Sequence, residues 1–154
     1  MPQKYGKKNK KKHELEKIHL HFIKSNLRIK QSTSTMAVYA ETGRFPIELK
    51  QKVQIIKYWK RLLELPEENI LKQAYESLYQ TCNLGQNNWC QIVKNILTVL
   101  DMNHIWDLQN IEYRDIHNVK GNLHTNFMKL GIENISNSEK LPKLRTYKLF
   151  KTRI

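Results

Sequence analysis

Cysteine, glycine, proline and aspartate are all scarce in this chain, and each scarcity excludes something. Two cysteines, Cys82 and Cys90, cannot build a disulfide framework in 154 residues. No apolar segment follows the basic start to make a secretory signal. Free thiols and a place in the nucleus or cytoplasm, not secretion, are therefore expected. No apolar run approaches the roughly 20 residues that cross a bilayer, so insertion is not expected; an anionic membrane surface is the other candidate for so basic a chain, and no membrane partner is assigned. There is no Gly-rich phosphate loop, no GxSxG elbow and no HExxH pair. Aspartate occurs three times, as Asp101, Asp107 and Asp115, and never as an Asp-Asp pair. Two-metal polymerase or nuclease chemistry needs clustered carboxylates, so none is expected from this chain alone. Glu67 and Glu68 are adjacent, and adjacent helical residues diverge. Cys82 and Cys90 are not a CxxC pair, and neither His19 with His21 nor His117 with His124 has structural-zinc spacing. The sequence thus offers no catalytic residue, no metal site, no cofactor and no small-molecule substrate.

What it has in plenty is positive charge. Lys and Arg number 27 against 14 Asp and Glu, a net +13. Such an excess favours a polyanion, because each neutralised phosphate releases counterions. Lys4, Lys7, Lys8, Lys10, Lys11 and Lys12 crowd the first twelve residues, a block that repels itself and reads as a disordered basic arm. Cations alternate with aromatics in Lys57, Tyr58, Trp59, Lys60 and Arg61, and again in Arg145, Tyr147, Lys148, Phe150 and Lys151. Patches of that kind pair with phosphates and stack on bases. The expected contacts to RNA or DNA are Lys7, Lys8, Lys10, Lys11, Lys12, Arg145, Tyr147, Lys148 and Lys151. Trp59 falls on an apolar face and is assigned to the core.

With 40% hydrophobic residues a core is possible, and the apolar positions recur at helical spacing. Leu15, Ile18 and Phe22 share a face. Ser32 to Ser34 can cap a short helix through Glu41, ended by Gly43. Pro46 opens a helix whose inner face is Leu49, Val53, Ile56, Trp59 and Leu63. Pro66, Glu67 and Glu68 start another, with Ile70, Leu71, Ala74, Tyr75 and Leu78 inward and Gly85 at its end. Asn87 or Asn88 caps a third, with Trp89, Ile92, Val93, Ile96, Leu97 and Leu100 on one side. Ile116, Val119, Leu123, Phe127 and Leu130 mark a later helix stopped by Gly131, followed by a loop from Asn134 to Asn137. Leu144, Tyr147 and Phe150 suit a final helix. No stretch alternates with period two. The fold class is all-α: an irregular, monomeric bundle of five to seven helices over residues 13–154, behind an arm at 1–12. Trp59, Trp89, Ile92, Val93, Ile96 and Leu123 are expected to be buried.

The run AVYAETGRFPIELKQKVQIIKYWKRLLELPE, residues 37–67, resembles the region downstream of the reverse-transcriptase domain in animal non-LTR (LINE-type) retrotransposon polyproteins. Three further motifs of that region stand here in the same order. They are LEKIHLHFIKSNLRIKQSTS at residues 15–34, the Trp-rich stretch from Asn88 and Trp89 to Val93, and KLPKLRTYKLFK at residues 140–151. The resemblance covers about residues 14–151. It departs at Phe22, Ile23 and Lys24, where the family often has Phe-Cys-Lys, and at Leu27, Arg28 and Ile29, where it has Leu-Gly-Val. The lysine-rich leader does not look like the family. The polymerase domain with its Tyr/Phe-x-Asp-Asp motif, and the endonuclease domain, have no counterpart here. The resemblance implies an orphaned piece of an RNA-directed DNA polymerase polyprotein, without enzymatic activity, that once held template RNA or target DNA. A degenerate reading frame, or a domesticated module that binds protein through its apolar faces, are the alternatives left by the residues.

Overall fold

A computed structural model describes the backbone of residues 5–137 and side chains from Glu14 to Glu133, Ile132 excepted. Seven helices and no strand occur among the described residues: α1 (Tyr5–Asn26), α2 (Thr35–Thr42), α3 (Ile47–Leu63), α4 (Ile70–Asn83), α5 (Trp89–Val99), α6 (Asn103–Leu108) and α7 (Tyr113–Asn137). None is long and apolar enough to cross a membrane. The side chains of the arm expected at residues 1–12 lie outside the described residues, as does the helix expected around Leu144, Tyr147 and Phe150.

Helix α3 is the axis of the fold, packed against α1, α4, α5 and α7. It runs antiparallel to α7. Phe45, just before α3, stacks on His124 at 3.7 Å, while Lys60 near its end lies 4.5 Å from the ring of Tyr113. Leu49, Val53, Ile56, Trp59 and Leu62 line its buried face, while Leu63, expected there in place of Leu62, is only half-buried. Around them gather Val93, Leu97, Ile105, Trp106, Ile116, Val119 and Leu123, the main core. A smaller core of Ile23, Val38 and Tyr39 joins α1 to α2, and Phe127 packs against both.

Turn chemistry explains most boundaries. Gly43 ends α2 at φ 60°, in the left-handed region that a side chain makes costly. Asn88 accepts a hydrogen bond from the Cys90 amide and caps α5. At α7, Asp115 accepts from the Glu112 amide at 2.9 Å, the reciprocal half of a capping box. Helix α4 begins later than its Pro66-Glu67-Glu68 approach predicts. Those residues form the turn, and Asn69 caps the helix by accepting from the Leu71 amide. Helix α6, six residues long, is too short to show a period in the sequence, yet it buries Ile105 and Trp106.

Three expectations about faces are corrected. On α4, Ile70, Leu71, Ala74 and Leu78 are exposed, and Tyr75, Tyr79 and Cys82 turn inward. The helix is rolled toward its aromatic side because the Tyr75 hydroxyl has buried partners to satisfy: it accepts from Trp59 Nε1 at 2.8 Å and donates to Gln109 Oε1. On α5, Cys90 is fully buried, which leaves Ile92 exposed and Trp89 half-buried against Tyr58. On α7, Leu130 is exposed, and Gly131 lies inside the helix, where a Cβ would meet the end of the Met36 side chain. Because glycine admits that approach, α7 continues past Gly131 through the segment Asn134 to Asn137, read above as a loop.

Candidate nucleic-acid interface

The net charge is distributed very unevenly. Residues 14–137 hold 15 Lys and Arg against 13 Asp and Glu, leaving only two of the thirteen net positive charges. The first thirteen residues carry six lysines and no acid, and residues 138–154 carry six basic residues against Glu139 alone. A nearly neutral helical body therefore separates two strongly basic stretches.

Of the expected contact residues, Lys7, Lys8, Lys10, Lys11 and Lys12 fall on the first turns of α1, with side chains outside the description. Arg145, Tyr147, Lys148 and Lys151 lie outside the described residues altogether. The basic and aromatic run at 57–61 is split by the helix. Trp59 has no exposure at all and stacks on Trp106 at 5.7 Å. Lys60 is buried along its stem, pairs with Glu64 and faces the Tyr113 ring. Lys57, Arg61 and the half-exposed Tyr58 remain outside.

Those outer residues belong to a longer stripe. Lys50, Gln54, Lys57 and Arg61 follow one another at i, i+4, i+7 and i+11 on α3, and all are exposed. The acids of the helix are turned to other cations: Glu48 meets Lys52 at 3.1 Å, and Glu64 takes Lys60. The stripe thus presents three cations over about 16 Å of helix. Sequence reading missed Lys50 because attention to aromatic neighbours hid its helical spacing. By contrast, the depression of about 510 Å³ where α3 meets α7 is balanced in sign, lined by Lys60 and Arg114 but also by Glu64 and Glu112.

The motif at residues 37–46 is a structural joint. Ala37, Val38 and Tyr39 are buried, and Pro46 precedes α3 at its N-cap. Glu16 of α1 clasps both helices that follow: its carboxylate accepts from the Tyr39 hydroxyl and from the Ile47 amide, the latter at 2.9 Å. That second bond satisfies an N–H that α3 leaves open at its start. Lys24, also buried, donates to the carbonyls of Gln31 at 2.8 Å and Thr33 at 2.7 Å, fixing the α1–α2 turn.

Titratable groups are few in the interior. Burial raises the Tyr75 phenol well above its ordinary range and pushes the Cys90 thiol up to about 11. Desolvation, helped by Lys120, holds His124 below the usual imidazole value. Among the described residues no three His, Cys, Asp or Glu side chains gather as a metal site. No family model, curated protein or solved structure matches the chain.

Proposed function

We propose that this chain is a nucleic-acid-binding helical module derived from a non-LTR retrotransposon polyprotein, with no chemistry of its own. The observation that carries the reading is the segregation of charge: a neutral bundle with one cationic stripe on α3, between two basic stretches. Phosphate contacts of this kind position a strand without reading its sequence. The motif resemblance supports the origin, and RNA or single-stranded DNA is the partner. Binding is mostly electrostatic.

The test is fluorescence anisotropy with a single-stranded RNA across a salt series. Each lost phosphate contact flattens the log–log salt slope by about 0.7 on a single strand. The variant Lys50→Gln/Lys57→Gln/Arg61→Gln then loses about 2 from the slope. Deleting residues 1–12, with six lysines, loses up to about 4. Affinity no better than that of a scrambled peptide of equal charge overturns the reading. Primer extension or Mg²⁺-dependent nicking by the pure chain overturns the inactive assignment.

A further inference from the structure

Among the described residues two apolar features have no cover, and they are complementary in shape. The first is a ridge on α1. Leu15, Ile18 and Phe22 follow at i, i+3 and i+7 and are 50%, 66% and 60% exposed. The opposite side of α1, with Glu16, His19, Leu20, Ile23 and Lys24, is turned to the body. The ridge therefore points away from its own bundle. The second is a groove of about 250 Å³ between α3, α4 and the start of α5, walled by Tyr58, Leu62, Leu71, Ala74, Leu78 and Trp89. Its α4 wall is the face whose apolar spacing calls for burial, yet Leu71 is 51% exposed and Leu78 39%. Ridge and groove wall each span seven residues of helix, about 10 Å.

We propose that the groove receives the α1 ridge of a second copy of this chain, in place of the monomer expected from sequence. A helix row of large side chains fits a groove between two helices by ordinary ridge-into-groove packing. Nucleobases fit the groove poorly. Its lining is mostly apolar, and the Tyr75 hydroxyl within it already serves Trp59 and Gln109, which leaves only the Tyr58 hydroxyl and the Trp89 N–H for the polar edges of a base. The next apolar pattern of the chain itself is out of reach. From the antiparallel pairing of α3 and α7, Asn137 stands about 40 Å from the level of Tyr58; the chain from there to Leu144 spans at most about 25 Å and a helix from Leu144 to Phe150 adds about 9 Å, too little for those side chains to lie there as one helix face. Charge does not oppose the same occupant: lysines 7, 8, 10, 11 and 12 precede the ridge on α1, and Glu68 stands exposed at the turn where the groove ends, while Glu64 and Glu67 already meet Lys60 and Lys72.

The contact joins unlike surfaces, so it is heterologous and leaves a free ridge and a free groove on each pair. That asymmetry supplies the test. Two variants of the full chain are prepared, a ridge variant Ile18→Ala/Phe22→Ala and a groove variant Leu71→Ala/Leu78→Ala. Alanine keeps helix propensity, and helical circular dichroism checks each fold. Light scattering after gel filtration is measured at low and high salt. The wild type exceeds 18.5 kDa with rising concentration, more so at high salt, where the +13 repulsion is screened. Each variant alone stays at the monomer mass. Mixed in equal amounts they give double that mass and nothing larger, because one intact ridge meets one intact groove. A monomeric wild type, a variant that still associates, or a mixture that stays monomeric overturns the proposal. RNA affinity of the ridge variant, measured in parallel, remains at the wild-type level. Its loss would assign the ridge to nucleic acid and overturn the self-association.

Discussion

Tyr75 shows how much one hydroxyl can decide. It joins Trp59 on α3 to Gln109 at the end of α6, and Gln109 in turn donates to the Trp106 carbonyl at 2.6 Å. Tyr75→Phe keeps the ring and leaves the indole N–H and the Gln109 oxygen without their partner. It is expected to cost about 1–3 kcal/mol in urea unfolding, with the slope of the transition unchanged. His124 makes a different statement, about pH. Its folded pKa is depressed, so the unfolded chain binds the proton first as pH falls. Stability is therefore full above the ordinary imidazole range and declines as pH drops through 6.5 toward the depressed folded value. His124→Phe preserves a flat ring for stacking on Phe45, and its melting temperature should vary less between pH 8 and pH 5 than that of the wild type. Cys90, with its thiol pushed to about 11 and fully buried, should resist thiol reagents at neutral pH until the bundle unfolds.

At the scale of elements, glycines within α7 offer a clean comparison. Gly121 is exposed in mid-helix, and a Cβ there meets nothing within 4 Å. Gly121→Ala should stabilise by about 0.5–1 kcal/mol, read as a higher melting temperature. Gly131→Ala has the same helix gain but must displace Met36, so its benefit should be smaller. The contrast also shows what periodicity could and could not reveal. The all-α class, the inner face of α3, the Gly43 stop and the Asn88 cap were legible, because local spacing and capping chemistry suffice for them. The rolled face of α4 was not. Leu71, Ala74 and Leu78 are apolar at helical spacing, as are Tyr75, Tyr79 and Cys82 one step around the helix, and only the tertiary bond to Trp59 chooses between them. Gly131 misled for a related reason: a helix-ending residue and a helix-contact residue look alike without the neighbour. The cationic stripe on α3 was half legible. Lys57 and Arg61 stood out beside aromatics, but Lys50 became part of the site only once the phase of α3 was known.

For the whole molecule, the two cores differ greatly in size. Nineteen buried residues make the main one, while Ile23, Val38 and Tyr39 make the other. The small core is tied down chiefly by Glu16, Lys24 and the ring of Phe127, which sits 5.9 Å from Tyr39 and 6.1 Å from Phe45. Elements that share few buried contacts open at lower free energy than the protein as a whole. Native-state hydrogen exchange should accordingly resolve two classes of amide, with α1 and α2 exchanging through a partial opening while α3, α5 and α7 wait for global unfolding. Glu16→Gln removes the charge that the Ile47 amide and the Tyr39 hydroxyl share. It should speed exchange in α1 and α2 and leave that of α5 unchanged. The clasp at Glu16 would then act as a latch: releasing the basic helix would cost less than unfolding the whole bundle, and a polyanion that prefers the released helix would draw it out by mass action.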